Sequence, residues 1–185
     1  YTLDPLGEEI PQDPAIANEF KVSNTRGTVA MAKFSDQPDS ATSEWFVNLD
    51  NNSAALDFTN GGFTVFARIV KGLSIADGIA GLQRVNLTAT LGDAFGEIPV
   101  LQKDEDGVGV EDLIQVIRVY TTDNVVPDVV DPTDQETEAE KLFVCTADWV
   151  AELAPQQACM DTNMGSFCMD LYPGSSPLSV ANFLH

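Results

Sequence analysis

The cysteines and the single histidine are the first candidates for chemistry in this sequence. The cysteines, Cys145, Cys159 and Cys168, form no CxxC pair and no Cys/His cluster of the kind that binds zinc. His185 is the only histidine, which argues against a Ser/His/Asp triad or a histidine-based metal site within these residues. We therefore expect no metal site among these residues.

The charge of the chain is strongly negative. Twenty-nine Asp and Glu residues against nine Lys and Arg give a net charge of -20. Such a chain repels phosphate backbones and anionic membrane surfaces, so we expect no nucleic-acid partner. The segment Asp104-Glu105-Asp106-Gly107 lacks the alternating ligands and the distant bidentate Glu of a calcium loop, and we interpret it as an acidic turn.

The apolar content suits a folded core. Apolar residues make up 44% of the 185 residues, whereas the longest apolar runs fall short of the roughly 18 needed to span a bilayer. No membrane insertion is expected.

Apolar runs rich in β-branched and aromatic residues predict short strands, with polar turns between them. The predicted strands cover residues 28–32, 45–49, 63–70 and 113–120. One helix is expected after the third strand, with Ser74 and Asp77 at capping-box spacing. This pattern predicts a mainly β fold, either a small barrel or a sandwich.

The last third of the chain changes character. Residues 123–156 are read as an acidic linker and connecting segment, and residues 158–171 as a hairpin that turns at 162–165. Ser176-Pro177 then opens a helix. Cys159 and Cys168 could face each other across the hairpin, and whether they pair is left open. We favour a periplasmic or secreted compartment over the cytoplasm.

Several sequence blocks, in a fixed order, resemble the cyclophilin family of peptidyl-prolyl cis/trans isomerases. The matching blocks of residues 26–79 are RGTVAMA, SATSEWFVN, the ALDF loop and GGFTVFARIVKG. The resemblance implies an eight-stranded antiparallel barrel with capping helices, which is incomplete in this chain.

A second resemblance lies at the other end of the chain. Residues 157–185 are similar to the beginning of a cyclophilin domain, so the family order is reversed here. The family segment that carries F-H-R, with the catalytic arginine, and Q-G-G has no counterpart. We expect residues 1–122 to be the last two-thirds of one domain and residues 157–185 the start of a second domain in a tandem protein. A circular permutant, a misassembled chain and a chance likeness are the alternatives.

The resemblance implies an enzyme that isomerises X-Pro bonds without a cofactor and without covalent catalysis, and that assists protein folding. Its partners would be proline-containing peptides or unfolded proteins. A non-catalytic proline-binding or scaffold module is the alternative, because no catalytic residue is certain without the family arginine. The implied proline-pocket and groove residues are Phe46 at the floor, Leu56 and Phe63 in the walls, Met31 and Ala32 beside the groove, and Glu44 where the family usually has glutamine.

Overall fold

The computed structural model describes residues 12–91, 95–102, 108–122 and 157–184. The strands within these ranges are β1 (Thr28–Met31), β2 (Trp45–Val47), β3 (Val65–Lys71), β4 (Gln83–Val85), β5 (Ile98–Val100), β6 (Val116–Thr122), β7 (Gln157–Thr162) and β8 (Gly165–Leu171). The helices are α1 (Ser53–Leu56), α2 (Leu73–Ala80), α3 (Thr88–Leu91) and α4 (Pro177–Leu184), with 3₁₀ turns at Thr59–Gly61 and Val110–Asp112.

Two antiparallel sheets organise these strands. The larger sheet has the order β2-β1-β3-β8-β7-β6, and the smaller one pairs β4 with β5. The prediction of a mainly β fold with an incomplete barrel is confirmed. All four predicted strands are present with their ends shifted by a few residues, whereas β4 and β5 were not predicted. The predicted acidic turn and the predicted linker lie outside the described residues.

The C-terminal hairpin lies inside the larger sheet. Strand β8 pairs with β3 on one side and with β7 on the other, and β7 pairs in turn with β6. Strands β7 and β8 therefore share one sheet with β1, β2, β3 and β6. A permuted domain and a pair of neighbouring cyclophilin-like units would both allow this pairing, so the division into two domains stays a prediction.

Helix α4 begins at Pro177, as the Ser176-Pro177 pair predicts, and closes one side of the core. The buried hydroxyl of Ser176 donates to the carbonyl of Val65 in β3 at 2.7 Å. The ring of Phe183 lies 5.2 Å from that of Phe66 and 6.0 Å, edge to face, from that of Trp45. Burial of a side chain as large as Phe66 stabilises the fold by about 1.5–3 kcal/mol.

Helix α2 starts differently from the expected capping box. It begins at Leu73 after Gly72, which has a φ of 80° and provides no side-chain cap, so the prediction for Ser74 and Asp77 is wrong. Asp77 instead forms an ion pair with Arg26 at 2.8 Å. A side chain at Gly72 would collide with the backbone of Ser166, and this close approach explains why glycine begins the helix. No helix in the described ranges is long and apolar enough to cross a membrane.

Candidate functional site

The pairing of β1 with β2 places the predicted site residues on two opposite faces of the sheet. Met31 lies opposite Trp45, and Ala30 lies opposite Phe46. Directly paired residues share a face of the sheet and successive residues alternate between faces, so Phe46 lies on the face opposite to Met31 and Trp45. Met31 is only 2% exposed and belongs to the core. The structure therefore does not bring Met31 to Phe46, although the resemblance implied a shared groove.

The other predicted residues of this region continue the face that carries Phe46. The backbone N–H of Ala32 donates to the carbonyl of Glu44 at 2.8 Å, which extends the ladder by two residues beyond Ala30 and Phe46. Ala32 and Glu44 therefore lie beside Phe46, on its side of the sheet. All three side chains are partly exposed.

Phe46 and Phe63 form an aromatic pair. Their ring centroids are 5.9 Å apart at an interplanar angle of 74°, which is the edge-to-face arrangement that aromatic rings prefer. Both rings are partly exposed. Leu56 is joined to this pair through the backbone, because the N–H of Phe63 donates to the carbonyl of Leu56 at 3.0 Å. The structure thus places the rings of Phe46 and Phe63 in contact and ties Leu56 to Phe63 through the backbone, while the proline-pocket role of all three stays a prediction.

A network of buried polar groups holds the loop between Leu56 and Phe63. The side-chain amide of Asn24, which is fully buried, donates to the carbonyl of Phe63 and to the carboxylate of Asp57, each at 3.0 Å. Asp57 also accepts hydrogen bonds from the hydroxyl of Ser23 and the backbone N–H of Asn24. Burial raises the pKa of Asp57, but these hydrogen bonds outweigh burial and hold the pKa below its ordinary value.

Gly62 allows this loop to close. It has a φ of 80°, and a β-carbon at this position would overlap the ring of Phe20. Only glycine adopts such a conformation at little cost while leaving room for the ring. The position of Phe63 therefore depends on the residue that precedes it.

Lys33 is the one cation that the described residues place at the aromatic pair. Its Nζ lies 4.8 Å from the centroid of Phe63 and donates to the carbonyls of Asn60 and Gly62 at 2.8 and 2.6 Å. Burial lowers the pKa of Lys33, and the carboxylate of Asp39 opposes part of that shift. The family resemblance puts Lys33 near the groove, but the sequence alone gives it little weight, because a lysine after an apolar strand is most often solvated.

The cysteines lie away from this surface. Cys159 and Cys168 are register partners on β7 and β8 and are joined by a disulfide. This pairing answers the question that the sequence left open, while Cys145 lies outside the described residues. Within the described ranges, no group of three or more His, Cys, Asp or Glu residues could hold a metal ion.

Comparison with known proteins places this surface in a family. The family sequence model described as "Cyclophilin type peptidyl-prolyl cis-trans isomerase/CLD" matches residues 4–93. A peptidyl-prolyl cis-trans isomerase of Acinetobacter baylyi is 48% identical over 60 residues, which are 32% of this chain and 31% of that protein. Peptidyl-prolyl cis-trans isomerase A of Dickeya dadantii is 40% identical over 79 residues, which are 40% of each chain.

A third relative extends the same result. Peptidyl-prolyl cis-trans isomerase B of Escherichia coli is 39% identical over 69 residues, which are 33% of this chain and 39% of that protein. The chain thus spans between about a third and two fifths of the length of these relatives. The family match, the three relatives and the β fold agree, and residues 4–93 resemble the cyclophilin-type peptidyl-prolyl cis-trans isomerases.

Proposed function

We propose that this chain forms the proline-binding part of a peptidyl-prolyl cis/trans isomerase that assists protein folding. The observation that carries the proposal is the partly exposed aromatic pair of Phe46 and Phe63, with Leu56 joined to it. An apolar surface of this kind suits the ring of a proline. The family match and the names of the relatives support the same activity. The substrates would be X-Pro segments of peptides or unfolded proteins.

The reaction requires little chemistry from the protein. Rotation about the peptide bond is opposed by amide resonance, with a barrier of about 18–20 kcal/mol. A catalyst lowers this barrier by holding the proline ring and by stabilising the twisted amide more strongly than the planar one. A hydrogen-bond donor directed at the twisted amide would provide that selective stabilisation.

The aromatic pair would hold the ring, but the described residues offer no evident donor. Lys33 is near Phe63, yet its ammonium already donates to the carbonyls of Asn60 and Gly62. The family resemblance assigns the donor to the arginine of the F-H-R segment, which has no counterpart in these 185 residues. We therefore propose that this chain alone binds X-Pro peptides and turns them over slowly or not at all.

A proline-binding module without turnover is the second candidate. The observation in its favour is the same engagement of Lys33 with the loop, since the amide of a bound peptide would meet no mobile cation there. The two candidates differ in the isomerase activity that they predict for a protein in which the arginine-bearing segment is joined to this chain. The enzyme would be active in that protein, whereas the binding module would not.

A protease-coupled isomerisation assay with an Ala-Pro peptide tests the proposal. We expect activity from a protein that contains both this chain and the F-H-R segment, and we expect Phe46→Ala to lower that activity at least tenfold. Ile117→Ala is the matched control, because Ile117 is 68% exposed on β6 at the other edge of the sheet. An inactive protein that still binds the peptide would support the module, and one that neither binds nor turns over the peptide would refute both candidates.

A further inference from the structure

Glu44 places a carboxylate next to the aromatic pair. Its carbonyl continues the β1–β2 ladder by accepting from the N–H of Ala32, and it lies two residues before Phe46 on the same strand direction. Residues at i and i+2 of an extended chain point to the same face and are about 7 Å apart. The Glu44 side chain therefore flanks the proposed proline site at one end.

The described part of the chain sets no cation against the charge of Glu44. Its Oε1 accepts a hydrogen bond from the neutral side-chain amide of Gln12 at 3.0 Å. Among the described residues, no lysine or arginine forms an ion pair with this carboxylate. The amide hydrogen bond orients the carboxylate while leaving its charge in place.

Lys33, the cation at the aromatic pair, is directed away from Glu44 and toward the loop that precedes Phe63. Its ammonium donates to the carbonyls of Asn60 and Gly62, and the carboxylate that acts on it electrostatically is Asp39. The two ends of the aromatic surface thus differ: an engaged ammonium lies beside Phe63, and an uncompensated carboxylate lies beside Phe46. A peptide that binds across this surface meets negative charge at the Glu44 end.

From this arrangement we infer that Glu44 selects X-Pro segments with a lysine or arginine within two residues of the proline. The inference rests on the proposed function and deepens it. Two residues of an extended peptide cover about 7 Å, which matches the separation of Glu44 from Phe46, and the long flexible lysine stem covers any remaining difference. A part-exposed ion pair of this kind favours the cationic peptide roughly two- to fivefold in Kd.

The test measures the binding of three blocked peptides to the complete 185-residue chain by calorimetry at low salt. The peptides share the sequence Xaa-Ala-Pro-Ala, in which Xaa, two residues before the proline, is lysine, alanine or glutamate. We expect the lysine peptide to bind most tightly and the glutamate peptide most weakly. We expect Glu44→Gln to remove this order, so that the three peptides bind to the variant with similar Kd values.

Two controls separate a local effect from the overall charge of -20. Glu111→Gln removes the same charge at an exposed site next to β6, at the opposite edge of the sheet from β2, and it should keep the lysine preference. For the unmodified chain, raising the salt concentration should abolish the preference while the alanine peptide stays bound.

The outcomes distinguish this inference from the proposed function. If all three peptides bind equally well, or if Glu111→Gln weakens the preference as much as Glu44→Gln does, the selectivity of Glu44 is refuted and proline binding stands. If no peptide binds, the proposed function fails and the inference fails with it.

Discussion

The carboxylate of Glu19 accepts hydrogen bonds from both the backbone N–H and the hydroxyl of Ser179, at 2.9 and 3.1 Å. It also accepts from the N–H of Leu178 at 3.2 Å. A residue near the beginning of the chain thus satisfies the open N–H groups of the first turn of α4, 160 positions later. The negative charge is favourable there, because it faces the positive end of the helix dipole.

We expect Glu19→Ala to lower the free energy of unfolding by about 1–2 kcal/mol, since helix N-terminal carboxylates and caps contribute in this range. Urea unfolding, followed by circular dichroism, measures the loss. Glu97→Ala is the control, because Glu97 is highly exposed and forms an ion pair with the exposed Arg84 of the small sheet. A Glu19 variant as stable as the Glu97 variant would show that this contact contributes nothing.

Reduction of the Cys159–Cys168 disulfide should destabilise the chain. The bond closes a short loop with a sequence separation of 9, for which loop-closure entropy predicts about 2–3 kcal/mol. The measurement is the urea midpoint with and without a reductant. In the double variant Cys159→Ser/Cys168→Ser the midpoint should be low and should not respond to the reductant; equal midpoints for this variant and the oxidised chain would show that the disulfide adds no stability.

Acid should destabilise the loop that carries Phe63. Hydrogen bonds from Ser23 and Asn24 outweigh burial and hold the pKa of Asp57 below its ordinary value of about 3.9. The stabilisation by this carboxylate is therefore complete above the ordinary pKa and is lost as the pH falls through the lower, folded-state pKa.

For this reason, we expect the unmodified chain to lose more stability than Asp57→Asn when the pH is lowered from neutral to below about 3. Denaturant midpoints across this pH range provide the measurement. Asp50→Asn, at an exposed position, should follow the unmodified chain. Parallel pH profiles for all three proteins would exclude a role of Asp57 in acid sensitivity.

Substitution of Gly62 should affect both stability and peptide binding. Gly61 and Gly62 have φ values of 77° and 80°, so alanine at either position costs about 1 kcal/mol in backbone conformation. At Gly62 the added methyl group also meets the ring of Phe20, whereas at Gly61 it meets only side-chain atoms at 3.3 Å or more.

Gly62→Ala should therefore be the more destabilising of the two by at least 1 kcal/mol, and it alone should weaken the binding of an Ala-Pro peptide. Unfolding midpoints and calorimetric Kd values test these statements. Equal effects of the two substitutions would mean that the backbone conformation, and not the contact with Phe20, decides the position of the loop.

Strands were easier to predict than the details that position the site. The runs that contain Phe66 and Val119 are rich in β-branched and aromatic residues, and this local preference is sufficient to identify β3 and β6. The hairpin at Cys159 and Cys168 was identified from its turn at residues 162–165. The start of α2 was missed, because the decisive contact is the approach of Ser166 to Gly72, two residues far apart in sequence.

The candidate site shows the same contrast. The aromatic residues Phe46 and Phe63 were found through the family resemblance, and the structure brings them together. The burial of Met31 follows from strand register, which sequence blocks do not encode. The side chains of Asn24 and Lys33 donate hydrogen bonds to backbone carbonyls more than 25 residues away. No local sequence pattern predicts such contacts.

The position of β8 between β3 and β7 has a consequence for how the chain folds. Ile69 pairs with Met169, exactly one hundred positions later, whereas β7 and β8 are neighbours in sequence. The hairpin can form early and locally, but its docking against β3 requires closure of a long loop, and such high contact order slows folding. Until the hairpin docks, the edge of β3 is open, and chaperones would protect the growing chain best during that interval.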